Sequence, residues 1–330
     1  MSSEALATVT PTRPIGGRAL LGWARDYGIV VALLVLVAIF AVATDTFLTQ
    51  RNLSNLVEQS AEPGLLACGM TVVIIAGEFD LSVGAILGFA AVVAAFFVNE
   101  AGLVAAVLAA LAAGVGLGVV NGFIVTRLRI PSFLATLSTA FVIVGAAIYL
   151  TDGTDNYRVN DFLSFSQFAD GELLAVKYKA WIALAAFVAV WAILRGTRFG
   201  RQIFAVGGNP DAARISGVRV RLVTTGAFVL CGALAALAGA ISASDTGVAQ
   251  ADGGVGMEFA AVAAVVIGGT SVAGGRGSVW RTLAGVMLLA VVANGFTLLY
   301  ISPTYDQLVQ GTIILAAIVA DSWLKRKAAP

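Results

Sequence analysis

The sequence predicts an all-α polytopic membrane protein, and three observations support that fold class. Hydrophobic residues make up 59% of the 330 residues and charged residues only 12%, whereas a soluble domain has about 25% charged residues. Long uncharged runs recur along the chain, separated by short polar segments. A backbone in lipid satisfies its own hydrogen bonds as a helix. With ten runs in the sequence, we expect about ten transmembrane helices.

The first 26 residues are polar, and we expect residues 1–26 to form a cytoplasmic tail. The first apolar run, Gly28–Ala43, ends in Ala-Val-Ala, a small-x-small ending that a signal peptidase could also cleave. We expect this run to be retained as a span, because the later charge pattern requires it. The transmembrane domain then covers residues 27–324, and the basic residues 325–330 form a second cytoplasmic tail.

The other nine uncharged runs follow at short intervals. A membrane-spanning helix needs about 20 residues, so the shorter runs must take in flanking polar residues or form broken helices. Their approximate bounds are Pro63–Gly77, Leu81–Asn99, Ala101–Thr126, Ile130–Thr151, Ala180–Leu194, Leu222–Ser244, Phe259–Gly275, Thr282–Tyr305 and Gln307–Ala320.

The distribution of lysine and arginine supports ten spans. When the N-terminus is placed inside and the sides alternate, sixteen of the twenty basic residues fall on inside segments. Cytoplasmic segments of membrane proteins carry such an excess, so we expect both termini in the cytoplasm. The longest outside segment, residues 152–179, is acidic. We interpret it as a solvated periplasmic loop, part of which is available to an extracytoplasmic partner.

The tripeptide Asn-Gly-Phe occurs once in each half of the chain. Asn121 begins the first copy, near the end of the fourth run, and Asn294 begins the second, near the end of the ninth. A proline follows each copy, at Pro131 and Pro303. Because the two runs cross the membrane in opposite directions, the echo predicts an inverted repeat of spans 2–5 and 7–10 around a translocation pathway. The alternative is chance recurrence of a common dipeptide.

Two carboxylates, Glu78 and Asp80, interrupt the apolar sequence between the second and third runs. A charged side chain within hydrocarbon costs about 2.5–3.5 kcal/mol, so this turn requires water, a polar cavity or an interfacial position. Asp80 and Ser82 are suited to capping the third helix. Alternatively, Glu78, Phe79, Asp80 and Ser82 line the translocation pathway or contact a partner, and the two interpretations are compatible.

A glycine-rich stretch begins at Gly268 and overlaps the end of the eighth run. Glycine-rich loops can cradle phosphate, but a P-loop needs a lysine directly after its last glycine. None of the four lysines follows a glycine, so we expect no ATP site of that type. We interpret the stretch as a tight cytoplasmic turn in which glycines permit close backbone approach. Its main members are Gly268, Gly269, Gly274, Gly275 and Arg276.

The composition argues against several other classes of function. The net charge is only +1 and there is no histidine, so we expect neither nucleic-acid binding nor histidine-based acid–base or metal chemistry. Both cysteines, Cys68 and Cys231, lie inside apolar runs. This placement indicates neither a disulfide framework nor a thiolate metal site. We expect no cofactor.

The most basic stretch is the loop at residues 195–221, which carries six arginines between two uncharged runs. One interpretation is that these arginines hold the loop in the cytoplasm. The other is that the loop binds a partner. Asp211-Ala212-Ala213, followed after three residues by Gly217, resembles the E-A-A-x-x-x-G signature of ABC importer permeases.

Four stretches together resemble the permease subunits of ribose/xylose-type bacterial sugar ABC importers. The resemblance covers nearly the whole chain after residue 45. The sequence departs from the family at Glu78, where glycine is common, and at Ala260, where aspartate often follows Glu258-Phe259. The four stretches are G-E-F-D-L-S-V-G at Gly77–Gly84, F-G-R-Q-I-F-A-V-G-G-N-P-D-A-A-R-I-S-G-V at Phe199–Val218, A-A-V-V-I-G-G-T-S-V-A-G-G-R-G-S-V at Ala263–Val279 and A-N-G-F at Ala293–Phe296.

The resemblance implies a non-catalytic permease subunit in the bacterial inner membrane. It further implies a pore of two permeases, here expected to be a homodimer, a cytoplasmic ATP-binding subunit and an extracytoplasmic sugar-binding protein. The cargo would be a monosaccharide or related polyol. The central loop would contact the ATPase through Arg201, Gly208, Asn209, Asp211, Ala212, Ala213 and Gly217.

A second hypothesis is a secondary transporter or channel that works alone. The spans carry few acids and no histidine, which argues against ion coupling. A third hypothesis, a membrane-embedded enzyme, would need a cluster of catalytic residues. Only Glu78 and Asp80 lie close together near a span.

Overall fold

The structure is a computed structural model that describes residues 15–154, 156–160 and 162–302, together with residues 305, 308, 311, 312 and 315. Residues 1–14, most of the tenth predicted span and the C-terminal tail lie outside the described residues. The predictions made for those segments are therefore not addressed by the fold.

The described ranges are overwhelmingly helical, as predicted. Four short strands form two two-stranded sheets, in which β1 pairs with β4 and β2 with β3. The elements in chain order are α1 (Ile15–Ala43), α2 (Gln50–Gln59), α3 (Ala61–Ile75), α4 (Val83–Arg127), α5 (Ser132–Leu150), β1 (Asn156–Arg158), α6 (Phe162–Asp170), β2 (Glu172–Leu173), β3 (Val176–Lys177), α7 (Tyr178–Gly196), α8 (Arg198–Gly208), α9 (Pro210–Ile215), α10 (Val220–Thr246), β4 (Val248–Gln250), α11 (Met257–Ile267) and α12 (Val279–Leu298).

Five helices of the described chain are long and apolar enough to cross a membrane: α4, α5, α7, α10 and α12. Shorter apolar helices are formed by Gly28–Ala43 within α1, by α3 and by α11. A membrane-embedded helical bundle is therefore supported. A total of ten spans goes beyond this count and belongs to the proposals below.

Helix α4 is a hairpin of two arms, because Gly102 within it has φ 81° and ψ −178°. A straight helix of its 45 residues would be about 68 Å long, far more than the roughly 30 Å of a bilayer core. Both arms pack on α10, with Leu87 of the first arm against Gly239 and Gly118 of the second against Phe228. The chain therefore reverses near Gly102, between the two predicted runs.

Glycines allow α4 and α10 to cross closely at the centre of the core. A Cβ atom placed on Gly114 would overlap the carbonyl oxygen of Gly232, and one on Gly118 would lie 2.5 Å from that of Phe228. A Cβ on Gly116, between them, would meet nothing within 4 Å. The small-residue pattern thus places backbone against backbone, as helices do in membranes.

The eighth uncharged run, Phe259–Gly275, contains helix α11 followed by the tight turn that its glycines predicted. Helix α11 ends at Ile267, because Gly268 and Gly269 turn the chain and Gly269 has φ +78°. Before α11, the non-helical segment 251–256 runs along the first arm of α4, where Gly84 and Gly88 leave room for its backbone. Irregular backbone at such a position is tolerated where protein buries it.

Most of the described residues within 152–179, the predicted solvated loop, are exposed, and they form short elements that pack in part on α10. Strand β1 pairs with β4, and the Ser244 hydroxyl of α10 donates to Phe165 O at 2.6 Å while accepting from Ala169 N at 3.1 Å. Lys179 pairs with Asp245 of α10 at 2.9 Å. Lys177 donates to Asp170 at 2.6 Å, and this hydrogen bond raises the pKa of Lys177.

Candidate functional site

Asp80 lies fully buried in the turn between α3 and α4. Its Oδ1 accepts hydrogen bonds from the backbone nitrogen of Ser82 at 3.0 Å and from the Ser82 hydroxyl at 2.5 Å. Its Oδ2 has no hydrogen-bond partner among the described residues. A buried carboxylate is costly unless its charge is compensated, so this turn depends on the contacts that Oδ1 makes.

The second arm of α4 and helix α5 hold in place the turn at Glu78–Ser82, which we call the acidic turn. Asn121 is buried, donates to the Ser82 hydroxyl at 2.7 Å and accepts from the Thr139 hydroxyl at 2.8 Å. The Thr136 hydroxyl accepts from Leu81 N at 2.9 Å. The predicted residues Asp80, Ser82 and Asn121 therefore belong to one buried polar network.

The expected capping of α4 by Ser82 is not observed. Ser82 occupies the N-cap position, but it has helical φ and ψ angles and its side chain makes no capping hydrogen bond. Its hydroxyl is instead committed to Asp80 and Asn121. The side chain therefore connects two elements and does not serve one helix end.

Glu78 and Phe79 are half-buried beside this network. The Phe79 amide donates to the Ser132 hydroxyl at 3.1 Å. Glu78 lines an open cavity of about 1150 Å³ whose other charged lining residues are arginines. The two carboxylates of the turn thus differ, since only Glu78 faces open space.

Asn294 lies in a separate cluster. It forms a reciprocal amide pair with Asn52 of α2, with N–H to oxygen distances of 3.0 and 2.9 Å, and Asn52 also donates to Phe47 O at 2.9 Å. The glycine that follows each of the two repeated asparagines leaves room for close contact with a neighbouring helix. A Cβ on Gly122 would strike the backbone of Thr225 in α10, and one on Gly295 would strike the ring of Phe40 in α1.

Three segments meet at a point that we call the glycine junction, near the ends of α3 and α8 and within the glycine-rich turn. Gly275 N donates to Ile75 O at 2.8 Å, and a Cβ on Gly207 would overlap that same oxygen. A Cβ on Gly274 would lie 2.7 Å from Gly207 O. The junction consists of Gly77, Gly207, Gly208, Gly274 and Gly275.

The rest of the glycine-rich stretch forms a tight turn between α11 and α12. A Cβ on Gly268 would lie 2.6 Å from Arg281 O, and Gly269 adopts a positive φ. Arg276 has an exposed side chain, and its carbonyl accepts from Ser271 N at 2.9 Å. The glycines therefore serve close backbone contact within the chain.

The central basic loop folds into two short helices, α8 and α9. The Asn209 side chain caps α9, accepting from Asp211 N at 3.0 Å and from Ala212 N at 2.9 Å. Gly217 ends the turn with φ +82°, and Val218 N donates to Ala213 O at 3.0 Å. The local sequence explains this: asparagine precedes a proline at the helix start, and glycine supplies the left-handed backbone.

The exposed face of α9 differs from the expected one. Ala213 is only 5% exposed and packs inside the chain, although the resemblance implied that it contacts the ATPase. Asp211 and Arg214 are exposed and pair at 3.0 Å. Ile215 is 88% exposed. Arg201, Gly208 and Ala212 also lie at the surface.

Three contributors to the site were missed in the sequence. Ser132, Thr136 and Thr139 recur at helical spacing along α5, and this polar stripe was a readable signal. Gly207 stands in a Gly-Gly pair but was not singled out. The exposure of Ile215 carried no sequence signal, because one isoleucine in a short polar helix does not reveal which way it points.

Comparison with known families gives one match over most of the chain. Residues 52–318 match the family described as branched-chain amino acid transport system / permease component. The matched range includes the acidic turn, the glycine junction, both short helices of the basic loop and both echoed asparagines.

Several characterised proteins are similar over nearly their whole length. The ribose import permease protein RbsC of Escherichia coli strain K12 is 39% identical over 317 residues, which cover 94% of this chain and 98% of that protein. RbsC of Bacillus subtilis strain 168 is 40% identical, covering 91% and 94%. The galactose/methyl galactoside import permease protein MglC of Salmonella typhimurium is 35% identical, covering 92% and 96%. No solved structure matches.

Proposed function

The chain belongs to the family of permease components of branched-chain amino acid type transport systems, and we propose that it is the membrane subunit of an ATP-driven monosaccharide importer. The observation that carries the proposal is similarity to sugar import permeases along almost the entire chain. The subunit is an inner-membrane protein without catalytic chemistry of its own. ATP hydrolysis takes place on a separate subunit, and an extracytoplasmic binding protein delivers the cargo.

The loop at residues 195–221 is the proposed contact with the ATPase. Helix α9 presents exposed Asp211, Arg214 and Ile215, a polar rim around one apolar side chain. An exposed apolar side chain with polar neighbours is suited to insertion into a groove on a partner. Gly207 lies in the last turn of helix α8, and its backbone lies against Ile75 and the glycine-rich turn. A movement of the loop at residues 195–221 would therefore displace the end of α3 and the glycine-rich turn.

The proposed route of that movement leads to the acidic turn. Ile75 ends α3, and Gly77 follows it at the glycine junction. Glu78, Phe79 and Asp80 come next, tied to α4 and α5 through Ser82, Asn121 and Ser132. We place the translocation pathway beside this turn. Asn294 would support the corresponding position of the second half, since it too anchors a helix by side-chain hydrogen bonds.

The topology we propose has ten spans, both termini in the cytoplasm and inverted repeats over spans 2–5 and 7–10. Contacts between segments support it. On the proposed outside, Asn99 bonds to Arg158 and Asn160, and β1 pairs with β4. On the proposed inside, the three segments of the glycine junction meet. Every contact in these two sets joins segments assigned to the same side.

We further propose a homodimer of permeases around the pathway, with cytoplasmic tails at residues 1–26 and 325–330 flanking the membrane domain at residues 27–324. Helix α5 supports this arrangement. It packs chiefly on α4, and Phe141 and Val142 on its open side are 75% and 71% exposed. A second copy would cover this face and place the polar stripe of α5 close to the dimer centre.

Ribose is the proposed first cargo to test, because the similar RbsC proteins are named for it. The experiment measures uptake of labelled ribose in cells that lack their own ribose transport and express this chain with its ATPase and binding protein. We expect uptake that unlabelled galactose inhibits weakly and leucine not at all. Uptake of leucine without uptake of any monosaccharide would refute the sugar assignment.

A further inference from the structure

One large cavity of the described chain is strongly basic. It measures about 1150 Å³ and opens between the ends of α4 and α10 that we propose to be cytoplasmic. Five guanidinium groups line it, and Glu78 is the only carboxylate among its lining residues. The arginines are Arg127, Arg129, Arg214, Arg219 and Arg221.

The positive charge of this cavity is largely uncompensated. Arg214 pairs with Asp211 at 3.0 Å. The side chains of Arg127, Arg129, Arg219 and Arg221 make no hydrogen bond or ion pair with any residue that the structure describes. Like charges around one cavity repel each other, and guanidinium groups bind phosphate oxygens in a bidentate manner. The cavity is therefore complementary to a phosphate-bearing anion.

One wall of the same cavity is apolar. Val119 and Phe123 lie four residues apart on the second arm of α4, and they are 46% and 53% exposed. Leu222 at the start of α10 is 60% exposed. Val119 is farther from the arginines than Phe123, so the apolar wall continues from the basic mouth into the proposed membrane region. A free phosphate ion would use only the basic mouth.

We propose that this cavity binds an anionic phospholipid of the cytoplasmic leaflet. The phosphodiester lies among Arg127, Arg129 and Arg221, and an acyl chain runs along Val119 and Phe123. Basic pockets between helices on the cytoplasmic side bind anionic headgroups in this manner. The inference rests on the proposed orientation of the chain but not on its cargo.

The test is lipid binding to the full-length permease in detergent, measured by native mass spectrometry with added phosphatidylglycerol or phosphatidylcholine. We expect at least tenfold tighter binding of phosphatidylglycerol, which the R127Q/R129Q/R221Q variant loses, because arginines near a headgroup attract anionic lipids. The R195Q/R198Q variant, which removes exposed arginines of the same loop region outside the cavity, should bind like the wild type.

Several outcomes would overturn the proposal. These are equal binding of the two lipids, equal loss in both variants, and complete displacement of phosphatidylglycerol by millimolar inorganic phosphate. Normal lipid binding with lost ATPase association in the triple variant would make the cavity an ATPase surface. If the triple variant does not fold, R129Q alone should weaken binding, and added salt should weaken wild-type binding.

This assay contains neither ATP nor sugar. A wrong cargo assignment would therefore leave its result unchanged, and a negative lipid result would leave the transport proposal standing.

Discussion

At the scale of single residues, Asp80 and Glu78 are two neighbouring carboxylates in different environments. Asp80 is fully buried, and one of its oxygens accepts two hydrogen bonds from Ser82. Glu78 is half-buried and faces an open cavity. Asp80 therefore stabilises the conformation of the turn through its buried hydrogen bonds, whereas water can replace the contacts that Glu78 makes.

We predict that Asp80→Asn weakens uptake more than Glu78→Gly. The asparagine keeps the size of the side chain and one acceptor oxygen, but the two hydrogen bonds from Ser82 then go to a neutral oxygen and each weakens by about 1 kcal/mol. This corresponds to a loss of roughly tenfold or more if the pathway depends on the turn. Glu78→Gly should retain most activity. Uptake is normalised to the amount of permease in the membrane, and the reverse ranking would refute this account of the turn.

Several residues of the site could be predicted from the sequence, but their grouping could not. Glu78 and Asp80 were predicted because carboxylates are costly in an apolar region, Ser82 as a helix cap, and Asn121 because the tripeptide Asn-Gly-Phe recurs. Their grouping was not predicted, since it depends on the reversal of α4 near Gly102, which brings Asn121 back to Ser82. Sequence spacing alone carries no information on that long-range contact.

At the scale of elements, α9 depends on the residues at its two ends. Asn209 caps the first turn, and Gly217 closes the last with a positive φ. Non-glycine residues are disfavoured there by roughly 1–2 kcal/mol, and β-branched residues by more. A Cβ on Gly217 would meet no atom within 4 Å, so the penalty is conformational and local.

Gly217→Val should therefore distort the end of α9 while leaving the bundle intact. We predict normal membrane levels, weakened retention of the ATPase and loss of ATP-dependent uptake. Asp211→Ala should be milder, because an exposed ion pair contributes only about 0–1 kcal/mol. Ser216→Val is the matched control, since Ser216 is exposed and has φ −77°. Levels, ATPase pull-down and uptake would be measured together.

Normal ATPase retention and uptake in Gly217→Val would remove the loop from the mechanism and leave its arginines as topology signals. A loss of equal size in Ser216→Val would show that bulk at this surface, and not the backbone conformation of Gly217, is what matters.

Element boundaries were predictable where glycine and asparagine determine the backbone, as at Asn209 and Gly217. In the eighth run, Phe259–Gly275, hydropathy alone gave no end to the helix, and only the glycines from Gly268 onward predicted a turn. The helix stops at Ile267 because the following glycines pack their backbone against neighbouring segments. Hydropathy does not distinguish a buried turn from a buried helix.

At the scale of the whole molecule, the proposed topology makes opposite predictions for two exposed loops. Asp152 lies at the start of the proposed periplasmic loop and Asn209 in the proposed cytoplasmic loop, and both are exposed. Cys68 and Cys231 are buried and would first be replaced by alanine. We predict that a membrane-impermeant thiol reagent labels Asp152→Cys in intact cells and Asn209→Cys only after permeabilisation. Labelling of both in intact cells would exclude the ten-span arrangement.

The helical membrane fold was predictable as a whole from uncharged runs and basic residues, because lipid imposes the same requirements on every span. The packing of the short elements within residues 152–179 was not, since it depends on partners such as Ser244 and Asp245, which lie more than 60 residues away in the sequence. The membrane-spanning helices can therefore be predicted from short stretches of sequence, whereas the site is assembled from segments that are distant in sequence.

The central claim is that this permease moves a monosaccharide with energy taken from a separate ATPase. The most direct test is uptake of labelled ribose into proteoliposomes that contain the permease and its ATPase, with the binding protein on the other side. The account predicts accumulation that requires ATP on the ATPase side, requires the binding protein, and persists when proton and sodium gradients are collapsed. Accumulation without ATP that follows an ion gradient would contradict the account and support a transporter that works alone.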